Sequence, residues 1–85
     1  MHPTDIERET RDFLTSTFLS GRSEQLRNDD ALLGNVIDSM GVLELVGFLE
    51  RTFAISVPDE DVVAENLGSI NSITTYIVQR LPGKA

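Results

Sequence analysis

The stretch Val36-Ile37-Asp38-Ser39-Met40-Gly41-Val42-Leu43-Glu44-Leu45-Val46-Gly47-Phe48-Leu49-Glu50-Arg51-Thr52-Phe53 decides the fold of this 85-residue chain. Within it Val42, Leu45, Val46, Leu49 and Phe53 recur at the i, i+3, i+4, i+7 spacing of a helix burying one broad stripe. Glu44, Glu50 and Arg51 fall outside that stripe, so a helix is predicted from Ser39 to about Thr52. Arg51 either pairs with an acid on its own helix, which is the default expectation, or tunes partner choice. Gly47 costs about 1 kcal/mol relative to alanine in a helix, which implies either close packing or simple tolerance. At the helix mouth stand Asp38 and Ser39, and either side chain can serve as N-cap. Ser39 is therefore a cap or the one chemical handle of the chain.

A stripe this wide needs helical partners, and the flanking sequence supplies them. Thr4-Asp5-Ile6-Glu7 fits a capping box, and Ile6, Phe13, Leu14 and Phe18 follow at near-helical spacing, with Gly21 as a stop. A first helix is predicted from about residue 5 to residue 19. Ser20 to Asn35 reads as a long polar loop, in which Leu26, Leu32 and Leu33 are expected to tuck onto the core. Ile55-Ser56-Val57 reads as an extended linker with Ile55 and Val57 turned inward. Pro58-Asp59-Glu60-Asp61 opens a short helix, since proline suits a first turn and acids complement its positive end. Val62 and Val63 are expected to form its inner face, and it should end by Asn66 or Gly68. Ser69 then caps a last helix with the stripe Ile70, Ile73, Ile77 and Leu81, and Tyr76 near its edge. The predicted fold is all-α: a small four-helix bundle of three main helices and one short helix, with a long first loop. It forms a single domain over residues 1–81, followed by a frayed tail at 82–85.

Charge and composition narrow the chemistry. The chain carries 14 acids against 7 Lys and Arg, a net of -7, which argues against a nucleic-acid partner. From Asp38 to Glu65 the acids Asp38, Glu44, Glu50, Asp59, Glu60, Asp61 and Glu65 face a single base, Arg51. That acidic run is either a solvated face or a docking surface for basic partners. No cysteine is present, so a protein-bound thiol would have to come from a cofactor. With no signal peptide and no apolar run of bilayer length, a cytoplasmic protein without a membrane partner is expected. The acids at Asp59 to Asp61 suit a helix N-terminus better than a cation, so no metal is expected. Ser39 lacks a histidine or lysine neighbour and a glycine-flanked elbow, which excludes a self-activated nucleophile. An acceptor role survives, and with it the expectation that the chain is not an enzyme.

Three segments carry a family resemblance: Asp38-Ser39-Met40, Leu43-Glu44-Leu45-Val46 and Glu50-Arg51-Thr52-Phe53. With the following Ala54-Ile55-Ser56-Val57-Pro58-Asp59-Glu60-Asp61, the chain from roughly residue 30 to 81 resembles the acyl and peptidyl carrier proteins. The resemblance implies that Ser39 bears 4'-phosphopantetheine, taken from coenzyme A and held through a phosphodiester. It implies that Asp38 is recognised by the phosphopantetheinyl transferase. Met40, Val42 and Glu44 would then lie on a surface gripped by partner enzymes, and Glu50, Asp59, Glu60 and Asp61 would extend it. The arm would supply the missing thiol and carry its load as a thioester. Some positions depart from the pattern of fatty-acid carriers: Met40 replaces leucine, Gly41 replaces an acid, and Arg51 interrupts the acids. Those departures resemble stand-alone carriers served by an adenylate-forming ligase that loads an acyl or aminoacyl group for downstream acyl-transfer enzymes. A monomer is expected, because the apolar stripes are used in one core. The alternative is a helical interaction module that has the carrier fold and is never modified.

Overall fold

The computed structural model of the protein describes residues 2–20 and 26–81. Among the described residues four α-helices follow in order: α1 (Pro3–Phe18), α2 (Ser39–Phe53), α3 (Ala64–Leu67) and α4 (Ile70–Arg80), with a 3-10 turn at Asp59–Asp61 before α3. The fold is all-α, as the periodicity predicts. The stops expected at Gly21 and in the tail 82–85 lie outside the described residues.

Helix α1 starts earlier than the capping-box reading places it. Pro3 occupies the first turn, where its missing N–H costs nothing and its fixed φ favours entry. The cap is His2, whose Nδ1 accepts from the Thr4 N–H at 3.1 Å. Thr4 is thus inside the helix and caps nothing. At the other end the chain leaves through Leu19 and through Ser20, whose φ is 53°.

The core is built from the predicted stripes. Ile6 and Leu14 of α1, Leu45 and Leu49 of α2, and Ile70, Ile73 and Ile77 of α4 are fully buried. Each such side chain is worth about 1.5–3 kcal/mol against exposure. α1 packs chiefly on α4 and meets α2 through aromatic rings. Phe13 stacks on Phe48 with centroids 4.2 Å apart, Phe18 stands edge-on to Phe13 at 6.0 Å, and Phe53 stands edge-on to Phe48 at 6.1 Å. The ring series runs along α2 and ends, at Phe18, beside its first turn.

The long loop is pinned by its leucines and by hydrogen bonds. Leu26 and Leu32 are buried and Leu33 packs against the core. The Arg11 guanidinium donates to Leu26 O and Asn28 Oδ1, while Asn28 Nδ2 donates to Glu7 Oε1 at 2.6 Å. Two bonds fasten the loop to the far side of the bundle: Asn71 N–H to Asn28 O at 2.9 Å and Leu32 N–H to Gly68 O at 2.7 Å. The Leu32 carbonyl then accepts from Asn35, Val36 and Ile37, folding the chain into a tight turn that delivers Asp38 to the head of α2. Gly34 within that turn has φ 85°, a left-handed conformation that favours glycine.

Beyond α2, Val57 is buried and Ile55 packs against the core, so the linker turns inward as expected. The short helix, however, comes in two pieces. Asp59–Asp61 forms only a 3-10 turn, and Val63 is extended (φ -136°, ψ 162°) before α3 begins. The break leaves Val62 against the core and Val63 exposed, so only one valine of the expected inner face turns inward. Ser69 caps α4 as predicted, its Oγ accepting from Ser72 N at 3.1 Å, and Tyr76 is buried rather than marginal.

Candidate functional site

The first turn of α2 resolves the choice between Asp38 and Ser39. Asp38 is extended, and its Oδ1 accepts the Gly41 N–H at 2.8 Å while its carbonyl accepts from Val42 at 3.0 Å. Asp38 is therefore the N-cap. Ser39 is the first helical residue, exposed, with a hydroxyl that makes no hydrogen bond among the described residues. A serine needed for capping would have its oxygen turned onto the helix. This one is spare.

Gly41 explains how the turn is seated. A Cβ there would lie 2.8 Å from Phe18 Cε1 and 3.0 Å from Ile37 Cγ2. Only glycine lets the Phe18 ring and the Ile37 side chain come so close to the helix, and Gly41 is accordingly buried. Between Phe18, the turn at Gly34 to Ile37 and the first turn of α2 lies an open cleft of about 400 Å³. Asp38 and Met40, the two neighbours of Ser39, both line it. Among the described residues neither histidine, lysine nor arginine lines the cleft, and its only ionisable groups are the carboxylates of Asp38 and Glu44. The arrangement leaves the Ser39 hydroxyl exposed at the cleft mouth.

On the surface around it, Met40 is 71% exposed and Leu43 68%. One helical turn apart, they flank Glu44, which is exposed as well. Val42 is instead half-buried against the core. Leu43 went unnoticed in the sequence; its signal is an apolar side chain standing outside the apolar stripe, next to Ser39. Arg51 makes no ion pair among the described residues, contrary to the expected pairing on its own helix. Gly47 has no close neighbour except the far end of the Arg51 side chain, so its presence reflects tolerance and not packing.

The acids divide into two kinds. Asp59 and Glu60 are exposed on the 3-10 turn, whereas Glu50 and Asp61 are engaged. Glu50 Oε2 accepts the Val57 N–H at 2.9 Å, tying the linker to α2. Asp61 Oδ2 accepts from the Tyr76 hydroxyl at 2.7 Å and lies 3.7 Å from the Arg80 guanidinium, which also sits 5.5 Å from the centre of the Tyr76 ring. Burial pushes the Tyr76 phenol up to about 12, and the bond to Asp61 adds to the shift, while the Arg80 charge opposes it. No described helix is long and apolar enough to cross a membrane.

No protein-family model matches the chain. Individual proteins do. A D-alanyl carrier protein of Streptococcus suis is 31% identical over 75 residues, covering 88% of this chain and 94% of that protein. An acyl carrier protein of Campylobacter hominis is 35% identical over 74 residues, covering 86% of this chain and 90% of its own length. A second acyl carrier protein, from Chloroherpeton thalassium, is 33% identical over 58 residues, or 67% of this chain and 70% of its own. With a helical bundle of the predicted kind and relatives matched along most of their length, the chain belongs to the acyl carrier protein family, whose members are carriers and not enzymes.

Proposed function

We propose that the chain bears 4'-phosphopantetheine on Ser39 and shuttles thioester-bound intermediates between separate enzymes. The observation that carries this reading is the division of labour at the head of α2. Asp38 caps, which leaves the Ser39 hydroxyl exposed and unbonded on a fixed turn. Attachment forms an Oγ–P bond as the pyrophosphate of coenzyme A breaks and its adenosine bisphosphate half leaves. The serine proton passes to a base of the phosphopantetheinyl transferase, since no histidine or lysine stands beside Ser39 among the described residues. A phosphate at this position also suits the positive end of α2. When bound, the arm supplies the thiol that a chain without cysteine lacks.

Asp38 is the acid proposed to be read by the transferase. The docking surface is Met40, Val42 and Glu44, to which the exposure of Leu43 adds a second apolar contact. Asp59 and Glu60 extend it with free carboxylates, and Glu50 and Asp61 add charge while their oxygens hold structure. A load supplied by an adenylate-forming ligase, in a specialised pathway, fits this chain better than housekeeping fatty-acid synthesis. Two features support that: a D-alanyl carrier stands among the relatives, and Gly41 is held as glycine by the Phe18 ring where fatty-acid carriers place an acid.

Mass spectrometry tests the attachment. Incubation with coenzyme A and a broad-specificity phosphopantetheinyl transferase is expected to add one phosphopantetheine per chain, and none to a folded Ser39→Ala variant. An unchanged mass, under conditions that modify a control carrier, would leave an unmodified helical interaction module in its place.

A further inference from the structure

We infer that the cleft beside Ser39 is a resting seat for the phosphopantetheine arm itself, with the Phe18 ring as its apolar wall and the turn at Gly34 to Ile37 as its polar rim. This rests on the attachment at Ser39 proposed above.

Three observations support it. The first is position: Asp38 and Met40 line the cleft, so a group tethered to the residue between them begins at its mouth. The cleft's occupant therefore arrives at a local concentration set by the tether, which lets even weak contacts hold it. The second is the pattern of spare hydrogen-bonding groups. In the turn, the N–H groups of Gly34, Asn35, Val36 and Ile37 are all committed, to Ile37 O and to Leu32 O. The carbonyls of Gly34, Asn35 and Val36 accept no bond among the described residues. The turn that borders the cleft thus has unbonded acceptors and no unbonded backbone donor. A pantetheine arm brings the complement, two amide N–H groups and a hydroxyl. An acyl chain would bring nothing for those oxygens, and a carboxylate load would meet Asp38 and Glu44 with no cationic side chain among the described lining residues to offset them.

The third observation is that the apolar wall is already in place. Phe18 is fixed edge-on to Phe13 and is packed closely over Gly41. Its ring borders the cleft beside Ile37, where the branched dimethyl carbon of the arm could rest without displacing a side chain. A pre-formed seat asks for less ordering on binding than one that must open. The seat would also leave Leu43, which does not line the cleft, free for a partner, which could then draw the arm out.

Nuclear magnetic resonance on the unloaded and loaded chain tests this. Loading is first confirmed by mass, so a chain that takes no arm overturns the attachment reading and is recognised as such. In the loaded chain, backbone amide signals of Gly34 to Ile37 are expected to shift. Cross-relaxation is expected between the dimethyl protons of the arm and the Phe18 ring, with an upfield ring-current shift of those methyls. Phe18→Leu, which keeps an apolar side chain at the position, should abolish the ring-current shift while the variant still loads. A fully loaded chain whose shifts stop at the residues flanking Ser39, with arm methyls at their free positions, would overturn the seat and leave the attachment standing.

Discussion

The two ends of α2 are built on opposite principles. At its head, polar and apolar groups are left without partners: the Ser39 hydroxyl is unbonded, Met40 and Leu43 stand in water, and Glu44 is exposed. At its foot the acid and the ring are committed, while Arg51 and Thr52 stay exposed. Phe53 is buried, Glu50 holds the Val57 N–H, and the segment that follows is clamped to α4 through Asp61, Tyr76 and Arg80. A buried polar group is costly unless paired, so the foot satisfies its acids internally. The head can leave its polar groups spare because water bonds them, whereas Met40 and Leu43 are exposed at a hydrophobic cost. The acidic run that looks uniform in sequence therefore contains acids that hold the fold and acids that are available.

The two glycines of α2 give the largest contrast by which this difference can be broken. Both replacements with alanine gain helix propensity of about 1 kcal/mol. At Gly47 nothing but a flexible arginine tip opposes that gain, so Gly47→Ala is expected to raise the urea midpoint. At Gly41 the new methyl would enter the Phe18 ring and Ile37, and overpacking costs typically 1–3 kcal/mol. Gly41→Ala should therefore be less stable than Gly47→Ala by about that margin. Equal stabilities would mean that the head of α2 is not seated on Phe18.

The parts legible in the sequence were those set by period and by side-chain chemistry. The stripes of α2 and α4, the Ser69 cap and the inward leucines of the loop follow from spacing and apolarity alone. What the sequence hid depended on contacts between distant segments. Thr4 looked like a cap because its own neighbourhood fits a capping box, yet Pro3 and His2 start the helix first. The second short element splits because Val63 takes an extended conformation and turns outward. At the head of α2 the helix start was legible, but the freedom of Ser39 was not, since Asp38 and Ser39 are equally good caps on paper. Nor could the sequence show that Gly41 serves the Phe18 ring, because those residues meet only once α1 lies beside α2.

Tyr76 offers a second way to sharpen the contrast, through pH. Its phenol, 10.0 when unperturbed, is raised to about 12 by burial and by donation to Asp61. A folded-state value above the unfolded one means that the native chain holds the proton more tightly. The stability this contributes is present in full below pH 10 and is lost as pH rises from about 10 to about 12. Tyr76→Phe should flatten that part of the stability profile in urea titrations, and an unchanged slope would detach Tyr76 from the clamp.

The smallest expected effects separate the two glutamates. Glu50→Ala removes the acceptor of the Val57 N–H and should cost about 1 kcal/mol, a typical value for one internal hydrogen bond. Glu44→Ala removes an exposed side chain and should stay within about 0.5 kcal/mol of the parent. The same pair should rank in reverse in partner association, where a free carboxylate beside Met40 and Leu43 steers encounter and a committed one steers less. Stopped-flow association with the transferase, at low and high salt, measures that rank. If Glu50→Ala slowed association more than Glu44→Ala while leaving the urea midpoint untouched, the foot of α2 would be the docking end and the head only a tether point.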